Sequence, residues 1–218
     1  MTTSVSIAMF NSLPFFQSFL LCSPLLMVVL FMGISLPIPA LADDEELEKE
    51  FMLALAADEA GDCDKALPLY ISLADEGVPG AMINLGNMYL TGRCVEKDPK
   101  RALALLNVAV SYQTPVAHIH LANLYYEGHL GEPDYKRAYL HLSQAARMGV
   151  LNRPLFATMH YQGQGVEKEP LQAEYILQEG IKAGDETSKA LLIEYYSDQN
   201  GPLYDPEKKM NLQAAQLK

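Results

Sequence analysis

The chain has 218 residues, half of them apolar, and a formal net charge of −11. The length fits one or two domains and the apolar share is enough for a buried core. The acid excess excludes a nucleic-acid binder or a protein held on an anionic membrane, because both need a basic face. The charge is also uneven: residues 1–42 carry no Asp, Glu, Lys or Arg, and residues 43–64 carry ten acids against one base.

In chain order the first expected element is a leader. Residues 25–36 are apolar except for Gly33 and Ser35. Pro37 and Pro39 then break any helix, and Ala40, Leu41 and Ala42 precede four consecutive acids from Asp43. An apolar run, a breaker, a small-x-small triplet and an abrupt turn to charge form the pattern of a cleaved secretory signal. The expected cut falls between Ala42 and Asp43. It leaves residues 43–218 as one exported domain, periplasmic or secreted, with no membrane insertion after cleavage. No Lys or Arg precedes the run. The alternative is an uncleaved anchor over residues 19–36, about 18 residues and barely long enough to span. Leu21 before Cys22 is too large for a lipidation signal.

The remainder repeats itself. Asp62 and Ala66, Asp98 and Ala102, Asp134 and Ala138, and Glu169 and Ala173 are each four residues apart, and the alanines recur at intervals of 36, 36 and 35. Eleven residues after each alanine stand Gly77, Gln113, Gly149 and Gly184. A second block recurs with the same period: Leu85 to Tyr89, Leu121 to Tyr125, Phe156 to His160 and a weaker copy from Leu191 to Tyr195. The first three are followed by Gly92, Gly128 and Gly163. Two helices per period follow from this. The acid before each alanine reads as an N-cap. Pro99 and Pro170 suit the first helical position. The glycines suit the left-handed residue that ends a helix. Gly86, Ala122 and Ala157 let the paired helices approach closely. Asp44 to Ala60 reads as a preceding helix, and Asp205-Pro206 opens a last degenerate one. Neither helix of a pair can bury its face alone, so stacking builds the core. The expected fold is all-α: an α-solenoid, a right-handed superhelix of about five antiparallel helix pairs.

Ala81, Leu85, Gly86, Tyr89, Gly92, Asp98 and Ala102, repeated from Ala117 to Ala138 and less closely from Arg153 to Ala173, resemble the Sel-one-like repeat family of the tetratricopeptide-like group. The resemblance covers about residues 45–196. It implies a protein-interaction scaffold, with the first helix of each pair lining a concave surface. Two positions on that helix lie off the expected core stripe. The position two residues after the leucine holds Asn87, Asn123 and Thr158. The position five after holds Leu90, Tyr126, Tyr161 and Tyr196. Amides offer a peptide backbone both donor and acceptor, and Tyr gives broad contact with a polar tip. These seven are the expected partner-binding residues.

Catalytic and metal-binding patterns are missing. There is no Walker loop, His-Glu-x2-His, Gly-x-Ser-x-Gly or Cys-x2-Cys. His118 and His120 are two apart on a helix and point to different faces. His141 stands where other repeats carry Leu69, Leu105 and Ile176, so it reads as a packing residue. The acids from Asp43 to Glu50 lack the spacing of a calcium loop. No catalytic residue, metal or cofactor is expected. Cys63 opens one second helix, and Cys94 lies in the loop leading to the next. Neighbouring loops of a solenoid lie side by side, so an exported protein would oxidise this pair to a disulfide. The expected function is an exported, non-enzymatic scaffold that holds a protein or peptide partner, in envelope processes. A cell-wall-acting enzyme and a structural spacer are the alternatives.

Overall fold

The computed structural model describes residues 40–214, with side chains from residue 45. Of the expected leader, residues 40–42 fall at the start of the first helix. The rest of that leader, and the alternative anchor, lie outside the described residues. From Asp44 on, the described residues form one compact unit.

Ten helices follow one another, and among the described residues there is no strand. They are α1 (Ala40–Glu59), α2 (Cys63–Asp75), α3 (Pro79–Thr91), α4 (Pro99–Ser111) and α5 (Pro115–Tyr126). Then come α6 (Tyr135–Arg147), α7 (Arg153–Gln162), α8 (Pro170–Lys182), α9 (Glu186–Ser197) and α10 (Pro206–Ala214). The tightest pairs are α3 with α4, α5 with α6 and α7 with α8. α2 also packs on α3, α4 on α5, α8 on α9 and α9 on α10. With α1–α2 before them and α9–α10 after, the helices form five successive pairs of an α-solenoid. The apolar stripes meet in a core. Leu85, Met88, Leu106, Leu121 and Leu124 bury with Ala54 and Ala57 of α1 at one end. Leu177, Leu192, Tyr195 and Tyr196 bury at the other.

The capping acids do what their chemistry allows. Asp98 accepts from the backbone N–H of Lys100 and Arg101, both at 3.1 Å, and Asp134 from that of Arg137 at 3.0 Å. Glu169 starts α8 but its side chain makes no cap bond. Its extra methylene carries the carboxylate past the first-turn donors, so this expected side-chain cap is corrected.

One backbone bond recurs with the repeat. The N–H of Asp98 donates to the carbonyl of Tyr89 at 2.9 Å, Asp134 to Tyr125 at 2.8 Å, Glu169 to His160 at 2.8 Å and Asp205 to Tyr196 at 3.2 Å. A cation lies over the same tyrosines: Arg101 over Tyr89, Arg137 over Tyr125 and Lys208 over Tyr196, 5.5, 4.8 and 5.4 Å from the ring centroids. These contacts set the register of the last repeat. Tyr196, not Tyr195, is the counterpart of Tyr89, and Leu192, not Leu191, is the counterpart of Leu85. The weak copy expected from Leu191 to Tyr195 was one residue early.

In the same register α3 and α5 each begin six residues before their leucine, whereas α7 begins three residues before Phe156. α7 therefore lacks about 4.5 Å of helix, nearly one turn. Asn152 caps the late start, its side chain accepting from the Leu155 N–H at 3.3 Å.

The first pair is held differently. Cys63 and Cys94 form a disulfide with Cα atoms 5.2 Å apart. It ties the start of α2 to the loop after α3. Beside it Arg93 pairs with Asp58 of α1, its Nη2 donating to Oδ2 at 2.8 Å. Asp58 Oδ2 also accepts from Tyr70 Oη at 3.5 Å, and Tyr70 in turn accepts from Asn84 at 3.2 Å. Burial and the neighbouring Asp58 charge push the Tyr70 hydroxyl up to about 12, so it stays protonated and donating.

Two predictions follow from this fold. Cys63→Ser/Cys94→Ser should lose roughly 3–4 kcal/mol, since the bridge closes a loop with a sequence separation of 31 and chain entropy scales that way. Denaturant unfolding of the oxidised and variant chains measures it, and equal midpoints would contradict it. The second concerns the left-handed helix ends, where Gly77, Gly149 and Gly184 have φ of 87°, 87° and 84° and Gln113 has φ of 56°. Gln113 is exposed and pays the steric cost of a side chain there. Gln113→Gly should therefore stabilise by about 0.5–1 kcal/mol, a rise of about 1–4 °C in Tm at this size; a lower Tm would refute the assignment.

Candidate functional site

The first helices α5, α7 and α9 form the walls of a groove of about 530 Å³. Asn123, Tyr126 and Glu127 come from the end of α5. Asn152, Pro154, Leu155 and Thr158 come from the late start of α7, and Thr187, Ala190, Leu191 and Glu194 from α9. The missing first turn of α7 places its cap and first residues in this lining, where the other first helices have a full turn. The volume lies within the ordinary range of ligand sites.

The expected binding positions divide into three groups. Asn123, Tyr126 and Thr158 line the groove. Asn87 is half-buried on α3, outside it, and Tyr161 is half-buried in a stack on Tyr195, with ring centroids 3.8 Å apart. Leu90 and Tyr196 are corrections. Leu90 is 6% exposed and joins the core shared by α1 to α5. Tyr196 is 3% exposed. It occupies the Tyr89 position, beneath Lys208, and its hydroxyl donates to Glu174 at 2.6 Å. The corrected register gives the polar row a fourth member that sequence reasoning missed. Two residues after Leu192 stands Glu194, so the row reads Asn87, Asn123, Thr158, Glu194. The last three line the groove together.

Internal bonds decide which lining groups a ligand can use. Thr158 Oγ1 donates to the Pro154 carbonyl at 2.8 Å and accepts from Tyr195 Oη at 3.1 Å. Asn152 is engaged as a cap. Asn123, Tyr126, Glu127 and Glu194 carry the polar chemistry that faces outward. Burial raises the Tyr126 hydroxyl above the usual phenol range, with the Tyr135 ring beside it adding to the shift. It is therefore a neutral donor at neutral pH.

A second cluster lies between α5 and α6. His118 Nδ1 and His141 Nδ1 are 3.0 Å apart. Tyr125 stacks on His141 with centroids 5.6 Å apart. The two histidines are 23 residues apart, the same spacing as Met82 and Leu105 one repeat earlier, and that spacing was the signal that could have found the pair. One Nδ1 donates its proton and the other accepts through its lone pair, so the accepting ring is neutral when they bond. Burial, then the charge of His118, then that of Arg137 push His141 down to about 4. Burial lowers His118 and His120 as well. Among the described residues no group of three or more His, Cys, Asp or Glu is placed to hold a metal ion, and no helix is long and apolar enough to cross a membrane.

A stack of helix pairs with a groove across its first-helix layer defines a helical-repeat protein, an α-solenoid. The repeats themselves carry the likeness: residues 79–111, 115–150 and 157–185 match the Sel1 repeat, so this part of the chain carries three Sel1 repeats. The third match begins after the shortened start of α7. Among solved structures, the chain is similar to a Sel1 repeat protein from Oxalobacter formigenes, with 26% identity and a TM-score of 0.64, covering 78% of this chain and 73% of that one. It also shares the fold of c5321, a protective antigen present in uropathogenic Escherichia coli strains displaying an SLR fold. There the identity is 24% and the TM-score 0.63, over 81% of this chain and 39% of that one. No curated protein matches. Sel1-repeat proteins are generally non-catalytic scaffolds that mediate protein–protein interaction.

The histidine cluster makes stability depend on pH. In the unfolded chain histidine titrates near 6.5, and in the fold His141 titrates at about 4. Between those values the unfolded chain binds the extra proton and the fold does not. Stability is therefore predicted to fall as pH drops from about 6.5 to about 4. Replacing the pair with its counterparts from the preceding repeat, His118→Met/His141→Leu, should flatten that slope in thermal melts. Parallel melting curves for the two proteins would show that the pair is not the acid-sensitive element.

Proposed function

We propose that this chain is an exported, non-enzymatic scaffold that holds a protein or peptide partner in the groove of α5, α7 and α9, and that it works in envelope processes. The observation that carries the reading is the groove itself. It brings together, from three repeats, a row of polar side chains beside Tyr126 and the apolar surface of Pro154, Leu155 and Leu191. Apolar contact area with a few placed polar groups is what recognition of an extended chain needs. Export is supported by the apolar run at residues 25–36, by Ala40 and Ala42 before the acids, and by the Cys63–Cys94 bridge, which suits an oxidising compartment.

Two measurements test it. Intact mass of the exported protein is expected to correspond to a chain starting at Asp43, and a full-length species kept in the membrane fraction would contradict cleavage. Asn123→Ala/Tyr126→Ala should keep the helical circular dichroism, with a Tm lowered by the lost Tyr126 packing on Tyr135 but still well above assay temperature. The same variant should retain roughly tenfold less of the partner captured from an envelope extract, because loss of a hot-spot aromatic costs about 2 kcal/mol or more. Undiminished capture by the folded variant would place the partner elsewhere on the molecule.

A further inference from the structure

We propose that the segment held in the groove is cationic and extended, with Lys or Arg side chains meeting Glu127 on one wall and Glu194 on the other. This rests on the groove reading above and adds the chemistry of the occupant.

The charged lining is of one sign. Glu127 and Glu194 face the groove, and none of its lining residues is Lys, Arg or His. The Glu127 side chain is 56% exposed, and His129 Nε2 lies 2.8 Å from its Oε2, which engages one of the two carboxylate oxygens. Glu194 is exposed and belongs to none of the ion pairs found among the described residues. Half-buried acids elsewhere are paired locally, Asp98 with Arg101, Asp134 with Arg137 and Glu179 with Lys182, while other exposed acids such as Glu76, Glu96 and Glu132 also belong to none of these ion pairs; what sets Glu194 apart is its place in the groove.

Glu194 is also out of pattern for its row. The earlier repeats carry Asn87, Asn123 and Thr158 at that position, neutral groups suited to a peptide backbone. The row becomes charged only at its fourth member, and there it faces the groove. Its field reaches the neighbouring phenols. Burial, with Glu194 as the leading charge, pushes the Tyr195 hydroxyl up to about 12. Burial, then Asp198 and Glu194, raise Tyr161. A negative field beside tyrosine rings favours a cation, by charge and by the ring face together. Three times the fold seats its own cations on tyrosines: Arg101, Arg137 and Lys208.

The occupant's shape follows from the spacing of the walls. Packed helices lie about 8–10 Å apart, so a segment that touches α5, α7 and α9 must reach about 16–20 Å. An extended strand covers that with about six residues at ~3.3 Å each. Asn123 then meets its backbone, Tyr126 and Leu155 meet its apolar side chains, and the two glutamates meet its cationic ones.

The test is fluorescence anisotropy with three labelled peptides of equal length. They share one apolar pattern and carry Lys, Gln or Glu at the polar positions. At low salt the Lys peptide is expected to bind at least about tenfold tighter than the Gln peptide, and the Glu peptide weakest. Added salt should erode the Lys preference. Glu127→Gln/Glu194→Gln should abolish it, while Glu46→Gln/Glu48→Gln on α1 should leave it intact. Equal affinity for Lys and Gln peptides, lost together in Asn123→Ala/Tyr126→Ala, would keep the groove as the site and overturn the cationic occupant. A Lys preference that survives Glu127→Gln/Glu194→Gln would overturn it too, because the charge being read would lie elsewhere. If none of the three peptides binds, both the occupant and the groove reading fall.

Discussion

The hydrogen bond from the backbone N–H of Asp98, Asp134, Glu169 and Asp205 to a carbonyl nine residues earlier holds the repeats in step. It fixes where the chain turns after each first helix and where the next helix begins. At Asp98, Asp134 and Asp205 the side chain of the same acid then caps that helix, and a base three residues on reaches back over the tyrosine that accepted the bond; at Glu169 the acceptor is His160 and neither contact forms. One such bond is worth only about 0.5–1.5 kcal/mol net. Its effect lies in geometry, because the loop path, the cap and the cation–tyrosine contact all depend on it. The first pair lacks this arrangement. There Asp62 N–H donates to the Ala57 carbonyl at 2.9 Å, and the covalent Cys63–Cys94 link together with Arg93–Asp58 ties the loop to the helices instead.

With the junctions fixed, helix length becomes the free variable, and α7 uses it. Its first helix starts about a turn late, yet the second helix α8 keeps the full length of α4 and α6. The core side of the repeat is thus preserved through Ala157, Met159 and Ala173. The loss falls on the first-helix layer, where it brings Asn152, Pro154 and Leu155 to the groove wall. In physical terms a groove has been made by omitting one turn from a stack whose second helices carry the continuity.

Much of this was legible in the sequence. The 36-residue period, the capping acids, the left-handed glycines and the adjacency of Cys63 and Cys94 are local or follow directly from register. The groove was legible only in part. Asn123, Tyr126 and Thr158 came from counting two and five residues past the repeat's leucine position, but a right register did not bring Asn87 or Tyr161 to the groove. The count failed at Tyr196 because Tyr195 and Tyr196 are adjacent, and composition alone cannot say which one receives the Asp205 N–H. It failed at Leu90 because facing off one helix's stripe does not prevent burial in a core that five helices share. The groove as a cavity was hidden because it comes from the late start of α7. A shortfall of one residue in the loop gives little hint of a missing turn. His118 and His141 were hidden for another reason: His118 was compared with His120 and His141 with its repeat counterparts, whereas the pair shows only in the Met82–Leu105 spacing that it copies.

The central claim is that recognition happens where α5, α7 and α9 converge around one turn of missing helix, and that charge sets what is recognised there. Backbone amide NMR on the 15N-labelled chain, titrated with the Lys-bearing peptide, tests it most directly. The account predicts chemical-shift changes concentrated at Asn123, Tyr126, Glu127, Leu155, Thr158 and Glu194, with α4, α6 and α8 silent. Shifts concentrated on those second helices, or on α1 and α10, would contradict it.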